Sequence, residues 1–153
     1  MNEFMKAAKD LADTNLIDND GGPFGAVVVK DGQIVGKGDN RVLIKHDATA
    51  HAEITAIRDA CQNLNTHDLS GCVLYTNCYP CPMCLSAIIW ANIKKVYYGC
   101  TKEDAESIGF RDKLIYDFIK DPSLDIIDLE SMDRDETIKS FNDYKNKIDK
   151  TIY

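Results

Sequence analysis

The feature that most constrains this chain is an alternation of two periods. Between residues 25 and 100, short apolar runs suited to strands alternate with stretches whose apolar residues recur at helical spacing. Such a chain folds as a sheet covered by helices on both faces, with its sites at strand-to-helix loops. Ahead of that region, Phe4, Ala8, Leu11 and Ala12 predict an amphipathic helix over the first 18 or so residues, ended by Gly21-Gly22. Next, Gly25-Ala26-Val27-Val28-Val29-Lys30, Asp31-Gly32 and Gln33-Ile34-Val35-Gly36-Lys37 read as a hairpin, since Asp-Gly supplies the positive φ of a tight turn. Thr49 is the expected cap of a helix whose Ile54, Ile57, Cys61 and Leu64 form one stripe. A strand follows at Cys72-Val73-Leu74-Tyr75-Thr76, then a helix with Pro82 in its first turn running through Leu85, Ile88, Ile89 and Trp90, then a strand at Lys95-Val96-Tyr97-Tyr98-Gly99. The order is αββαβαβ. Beyond residue 100 the pattern predicts a short helix at 111–118, a strand at 126–129 and a helix over 134–150. Ile138, Phe141, Tyr144 and Ile148 would dock that last helix.

A chain of 153 residues with 44% hydrophobic and 28% charged residues suits a single domain with a real core. Its net charge of −7 weighs against a long nucleic-acid partner, which needs a basic face, and favours a small uncharged substrate. The N-terminus lacks the basic and apolar regions of a signal peptide, and no apolar run has membrane-spanning length, so a cytoplasmic protein is expected. In that setting six cysteines point to metal ligation or buried thiols rather than a disulfide scaffold.

Three of the six crowd into Cys78-Tyr79-Pro80-Cys81-Pro82-Met83-Cys84. Cys81 and Cys84 fall on one side of a helix first turn, where the positive helix end favours their thiolates. His51, at the preceding loop-to-helix junction, is the natural third ligand. Two thiolates and an imidazole suit Zn²⁺, and three protein ligands leave a fourth position for water, as catalytic rather than structural zinc sites do. Two thiolates also cancel the formal charge of the metal, so its water needs a base, and Glu53 is placed for it. In a regular helix, residues two apart diverge by about 200°. His51 and Glu53 can therefore share a site only if it lies over the helix end.

The pair His51-Ala52-Glu53 and Pro80-Cys81-Pro82-Met83-Cys84 resembles the signature of the zinc-dependent cytidine deaminase-like superfamily. Further likeness to the bacterial guanine deaminases within it lies in Gly21-Gly22-Pro23-Phe24-Gly25-Ala26-Val27, Asn40, Trp90, Gly109-Phe110-Arg111-Asp112 and the terminal Tyr153. The resemblance implies a three-layer α/β/α fold with a mixed five-stranded sheet, one Zn²⁺ per subunit, and hydrolysis of guanine to xanthine and ammonia. It makes His51, Cys81 and Cys84 the zinc ligands and Glu53 the proton shuttle. Phe24 and Trp90 would wall the base pocket, Asn40 and the Ala52 backbone would hydrogen-bond the purine, and Asp112 would contact the ring or assist proton transfer. It further implies a homodimer in which the segment from about 130 to 153 is exchanged between subunits, so that Tyr153 closes the partner's pocket. Two positions depart from the family pattern: Tyr79 stands where an acidic residue is common, and Ser86 where glycine is frequent.

Other readings remain beside this one. A lone C-x-x-C between strand and helix also marks redoxins, but that leaves His51-Ala52-Glu53 unexplained. A closed structural zinc site needs a fourth protein ligand, for which Cys78 or His46 are the candidates. Guanosine, isocytosine and cytosine are alternative substrates, and a tRNA adenosine deaminase, with the same metal motif, would want a basic surface. Cys61, Cys72 and Cys100 read as buried or incidental thiols.

Overall fold

The Asp31-Gly32 turn forms as expected, with φ of +49° and +75°, and joins β1 (Gly25–Lys30) to β2 (Gln33–Asp39) as an antiparallel hairpin. On its other edge β1 pairs antiparallel with β3 (Val73–Cys78), which pairs parallel with β4 (Lys95–Cys100). The result is a mixed sheet of order β2-β1-β3-β4. This computed structural model describes residues 1–153, which divide into two units, Met1–Asp117 and Phe118–Tyr153.

Strand alternation sorts side chains to the two sheet faces. Phe4 of α1 (Glu3–Asp18) meets Tyr75 on one face, with ring centroids 5.2 Å apart. On the other face, Ala26, Val28 and Leu74 pack with Ala52, Ala56 and Ala60 of α3 (Ala52–Leu64) and Ile88 of α4 (Pro82–Trp90). The expected three layers are therefore present. Each fully buried side chain of Leu or Ile size in this cluster contributes about 1.5–3 kcal/mol. No helix is long and apolar enough to cross a membrane.

The contact between α3 and β2 is unusually close. A Cβ on Gly38 would lie 2.3 Å from the Ala52 carbonyl oxygen and 2.4 Å from the Ala56 nitrogen, and one on Gly36 would lie 2.4 Å from the Ala56 carbonyl oxygen. Register places Gly36 opposite Val28 and Gly38 opposite Ala26, so both glycines face the helix that this β1 pair also faces. With alanines at 52, 56 and 60, the helix rests on the sheet backbone.

Three expectations need correction. The sheet has four strands rather than five, because residues 126–129 find no strand partner. The Ile126 N–H bonds the Leu124 carbonyl at 2.8 Å, and the turn before it is set by Asp121, which accepts from the Ser123 N–H at 3.1 Å. Ile126 and Ile127 are adjacent, without the alternation that one buried sheet face requires. Second, Thr49 does not cap α3: its N–H and hydroxyl both bond Asp47, at 2.8 and 2.7 Å, and the cap falls on His51. Third, α1 ends at a left-handed Asn19 rather than at the Gly21-Gly22 pair.

Short helices not expected from the pattern occupy Val42–Lys45 (α2) and Lys102–Ser107 (α5). The helices expected at 111–118 and 134–150 form as α6 (Asp112–Lys120) and α7 (Arg134–Asn146). In the unit Phe118–Tyr153 no residue is buried, and the Tyr144 hydroxyl ties the tail by bonding the Thr151 carbonyl at 2.8 Å.

Replacing Gly38 by alanine should force α3 off the sheet and destabilise the protein by about 1–3 kcal/mol, as overpacking a close contact does. Urea denaturation of Gly38→Ala against the parent measures it, and an unchanged midpoint would refute the backbone contact.

Candidate metal centre and base pocket

Two helices begin at the same point, and their cap residues carry the site. His51 is the N-cap of α3 and Cys81 that of α4, both with extended backbone. Cys84 lies three residues further, its N–H donating to Cys81 Sγ at 3.5 Å. His51 Nδ1 is 3.5 Å from Cys81 Sγ and 3.6 Å from Cys84 Sγ, and the three ligand atoms all lie within 4.8 Å of one another. The cap position of His51 also answers the geometric problem of His51 and Glu53. The histidine stands outside the helix, over its end, while Glu53 is inside the first turn.

The electrostatics match a cation site. A hydrogen bond from Cys84, then one from His51, pulls the Cys81 thiol well below its ordinary value, against the opposing effect of burial. The Cys84 thiol is pushed up, first by its bond to Cys81 and then by burial. The hydrogen bond to Cys81 raises His51. The cluster therefore favours negative charge on one sulfur with protons held close by, and a divalent metal would take the place of those protons. Two sulfurs and one imidazole nitrogen fit zinc. No fourth protein ligand is present: Cys78 is raised to about 12 by burial and points its Sγ at the Thr101 carbonyl, 3.5 Å away, and His46 ends α2 outside the cluster.

Glu53 is only 6% exposed, and burial raises its pKa, with the Cys81 charge adding to the effect. Its Oε1 accepts from the Thr76 hydroxyl of β3 at 3.4 Å. Beside it opens a cavity of about 450 Å³ lined by Phe24, Asn40, His51, Glu53, Phe110 and Asp112, among others. Phe24 meets Phe110 edge to face, with centroids 4.7 Å apart. Its backbone is fixed by Asn77, which donates to the Pro23 carbonyl and accepts from the Gly25 N–H, both at 2.9 Å. Asp112 opens α6, and its pKa is raised by burial and then by the Cys81 charge.

The structure brings His51, Glu53, Cys81, Phe24, Asn40 and Asp112 together around one cavity, with Cys84 joined to His51 and Cys81 in the ligand cluster. Ala52 is fully buried between His51 and Glu53. Trp90 stands at the C-terminal end of α4, 64% exposed and outside the lining of this cavity, and Tyr153 belongs to the unit 118–153. Tyr79 does line the cavity. Its ring packs edge-on against Tyr98, with centroids 4.9 Å apart, and the Lys102 ammonium sits 5.2 Å from its centre. Lys102 also lies 4.7 Å from the ring of Tyr116, whose hydroxyl bonds the Pro80 carbonyl at 2.8 Å. The sequence assigns no individual role to Thr76 or Phe110. Thr76 carries a signal, a small hydroxyl at the end of an apolar strand run, and Phe110 stands within Gly109-Phe110-Arg111-Asp112, a stretch that carries part of the family likeness.

Residues 1–100 match the model of the cytidine and deoxycytidylate deaminase zinc-binding region. The chain is 44% identical over 151 residues to the guanine deaminase of Bacillus subtilis (strain 168), spanning 98% of this chain and 97% of that one. The X-ray structure of guanine deaminase from Bacillus subtilis aligns with a TM-score of 0.93, covering 100% of this chain and 99% of that chain. A guanine deaminase from Nitrosomonas europaea is 37% identical, with a TM-score of 0.67 over 71% of this chain and 63% of that chain. The tRNA-specific adenosine deaminase of Aquifex aeolicus (strain VF5) is 47% identical over 77 residues, about half of each chain. With two sulfurs and an imidazole brought together at two helix starts and a buried glutamate two residues beyond the histidine, this chain belongs to the cytidine and deoxycytidylate deaminase zinc-binding family.

Proposed function

We propose that the protein is a zinc-dependent hydrolase that converts guanine and water to xanthine and ammonia. The observation that carries this reading is the buried Glu53 carboxyl lining, together with His51 and Cys81 of the three-ligand cluster, a cavity of a size to hold a purine base. Likeness to the Bacillus subtilis enzyme over nearly the whole of both chains supports guanine as the base. The tRNA deaminase shares only half of each chain, and a net charge of −7 is a poor match for RNA.

His51, Cys81 and Cys84 would hold the zinc. When bound, zinc lowers the pKa of a coordinated water and makes it a nucleophile at neutral pH. Glu53 removes a proton from the attacking water as the new C–O bond forms at the amino-bearing C2. It passes that proton to a ring nitrogen, then takes the second proton from the new C2 hydroxyl as the C=O forms and delivers it to the amine, so that the C–N bond breaks with ammonia leaving. Burial suits Glu53 to this two-way traffic, because it brings the carboxyl closer to the proton affinity of its partners. Phe24 supplies an aromatic wall for the base, Asn40 and the Ala52 backbone supply hydrogen bonds, and Asp112 is placed to assist at the ring.

The reading extends to two copies exchanging their C-terminal segments, with Tyr153 of one closing the cavity of the other and Trp90 walling the completed pocket. Exposed apolar side chains support it: Ile89, Trp90, Tyr97 and Tyr98 in the first unit, and Phe141, Ile148 and Ile152 in the second. The second unit buries none of its residues.

Zinc-loaded protein should turn over guanine faster than guanosine, cytosine, isocytosine or adenine, followed by ultraviolet absorbance and ammonia release. Glu53→Gln should retain zinc and lose about 10²–10⁴-fold in kcat; full turnover in that variant would eliminate its role. Chelation should abolish activity, with one zinc per chain restoring it. Light scattering should give twice the chain mass of 17.1 kDa, and a chain ending at Lys150 should lose about tenfold in kcat/KM, the worth of about 1.4 kcal/mol of lid contact. Normal turnover by the truncated chain at low substrate would remove Tyr153 from the pocket.

A further inference from the structure

Asn15 lies in the last turns of α1, is 4% exposed, and does not line the cavity. Asparagine is a poor helix former, and this one leaves its Oδ1 buried without a hydrogen-bond partner. An unsatisfied buried acceptor costs free energy that an isosteric leucine would not. The other end of the carboxamide accounts for its presence. Nδ2 donates to the Gly22 carbonyl at 2.9 Å and to the Asn40 carbonyl at 2.8 Å. The orientation is fixed, since exchanging the amide oxygen and nitrogen would set Oδ1 against two carbonyl oxygens.

Gly22 and Asn40 are distant in sequence but both line the cavity. Asn40 is 3% exposed and is held at every backbone polar atom: its N–H donates to the Phe24 carbonyl at 3.0 Å and its own carbonyl accepts from Asn15. Its Oδ1 accepts from the Val42 N–H at 3.1 Å. With Oδ1 engaged, the group Asn40 has to offer a ligand is the Nδ2 donor. Gly21 presses on the same residue, since a Cβ there would lie 2.2 Å from Asn40 Oδ1 and 2.4 Å from its carbonyl oxygen.

We propose that Asn15 is a positioning residue for substrate recognition, which fixes Asn40 and the Gly22 wall by bridging their carbonyls so that the Asn40 amide meets the base as a preset donor. This rests on the reading of Asn40 as a base-binding residue. Preset geometry matters because a donor held in place loses no rotamer freedom when the ligand arrives. Asn15 touches neither the metal ligands nor Glu53, so its contribution falls on binding and not on the chemical step.

The test is a cycle of Asn15→Leu and Asn40→Ala in the zinc-loaded full chain, read by steady-state kinetics on guanine and by amide hydrogen exchange. Asn15→Leu should raise KM about tenfold with kcat within about twofold of the parent, the signature of lost binding. In the Asn40→Ala background it should add less than about twofold, since residues acting through one contact are not additive. Exchange at the Asn40 and Val42 amides should quicken about tenfold, with the β3 amides unchanged, reporting local loosening only. An unchanged KM, an equal KM rise in both backgrounds, or unchanged exchange at Asn40 and Val42 would each overturn the proposal. Asn15→Ser, which keeps one donor, should give intermediate values and stands in if the leucine variant does not fold. If the parent does not deaminate guanine, the functional reading has failed, and the exchange arm alone decides whether Asn15 holds Asn40.

Discussion

Everything at the site hangs on the way α3 lies against the sheet. Gly36 and Gly38 of β2 and the alanines of α3 keep the side chains between helix and strand small, so the helix is located largely by backbone contact. A backbone contact has no rotamers with which to relax. The carbonyl of Ala52, pressed by Gly38, sits between His51 of the ligand cluster and the buried Glu53. The position of both groups is therefore inherited from the sheet. The same logic applies across the centre, where β3 delivers Thr76 to Glu53 and then runs into the turn that carries Cys81.

Opposing two helix starts has an electrostatic effect as well as a geometric one. Each N-terminus carries partial positive charge, and here the two together receive a thiolate, a second sulfur and a carboxyl. His51 and Cys81 spend their cap positions on the cluster. Their extended backbones turn the chain into the helix; the His51 side chain makes no cap bond, while the Cys81 sulfur both accepts from the Cys84 N–H and faces the common point. Ordinary caps such as Thr49 would stabilise α3 more and bind nothing.

Much of this was legible in the sequence. The αββαβαβ order followed from periodicity and from Asp31-Gly32, and the ligand set followed from the chemistry of Cys81, Cys84 and His51 at two junctions. What was not legible depends on competition between local partners or on distant ones. Thr49 has the right chemistry for a cap, but its N–H and hydroxyl are turned back to Asp47, two residues earlier, and the helix begins only after His51. Residues 126–129 carry strand-forming side chains, yet a strand exists only where an edge receives it. Phe110 and Asn15 look like a loop aromatic and a surface amide until the fold sets them beside Phe24 and Asn40.

The donor set of the cluster also bears on net charge. Two thiolates would cancel a divalent zinc, so ligands and metal together would carry no formal charge. An uncharged heterocycle can then enter without a field that favours its ions, whereas a phosphorylated analogue would lose its hydration and gain no counter-charge from the cluster. A phosphate would thus find no compensating charge at the metal itself, and any it met would have to come from the rim.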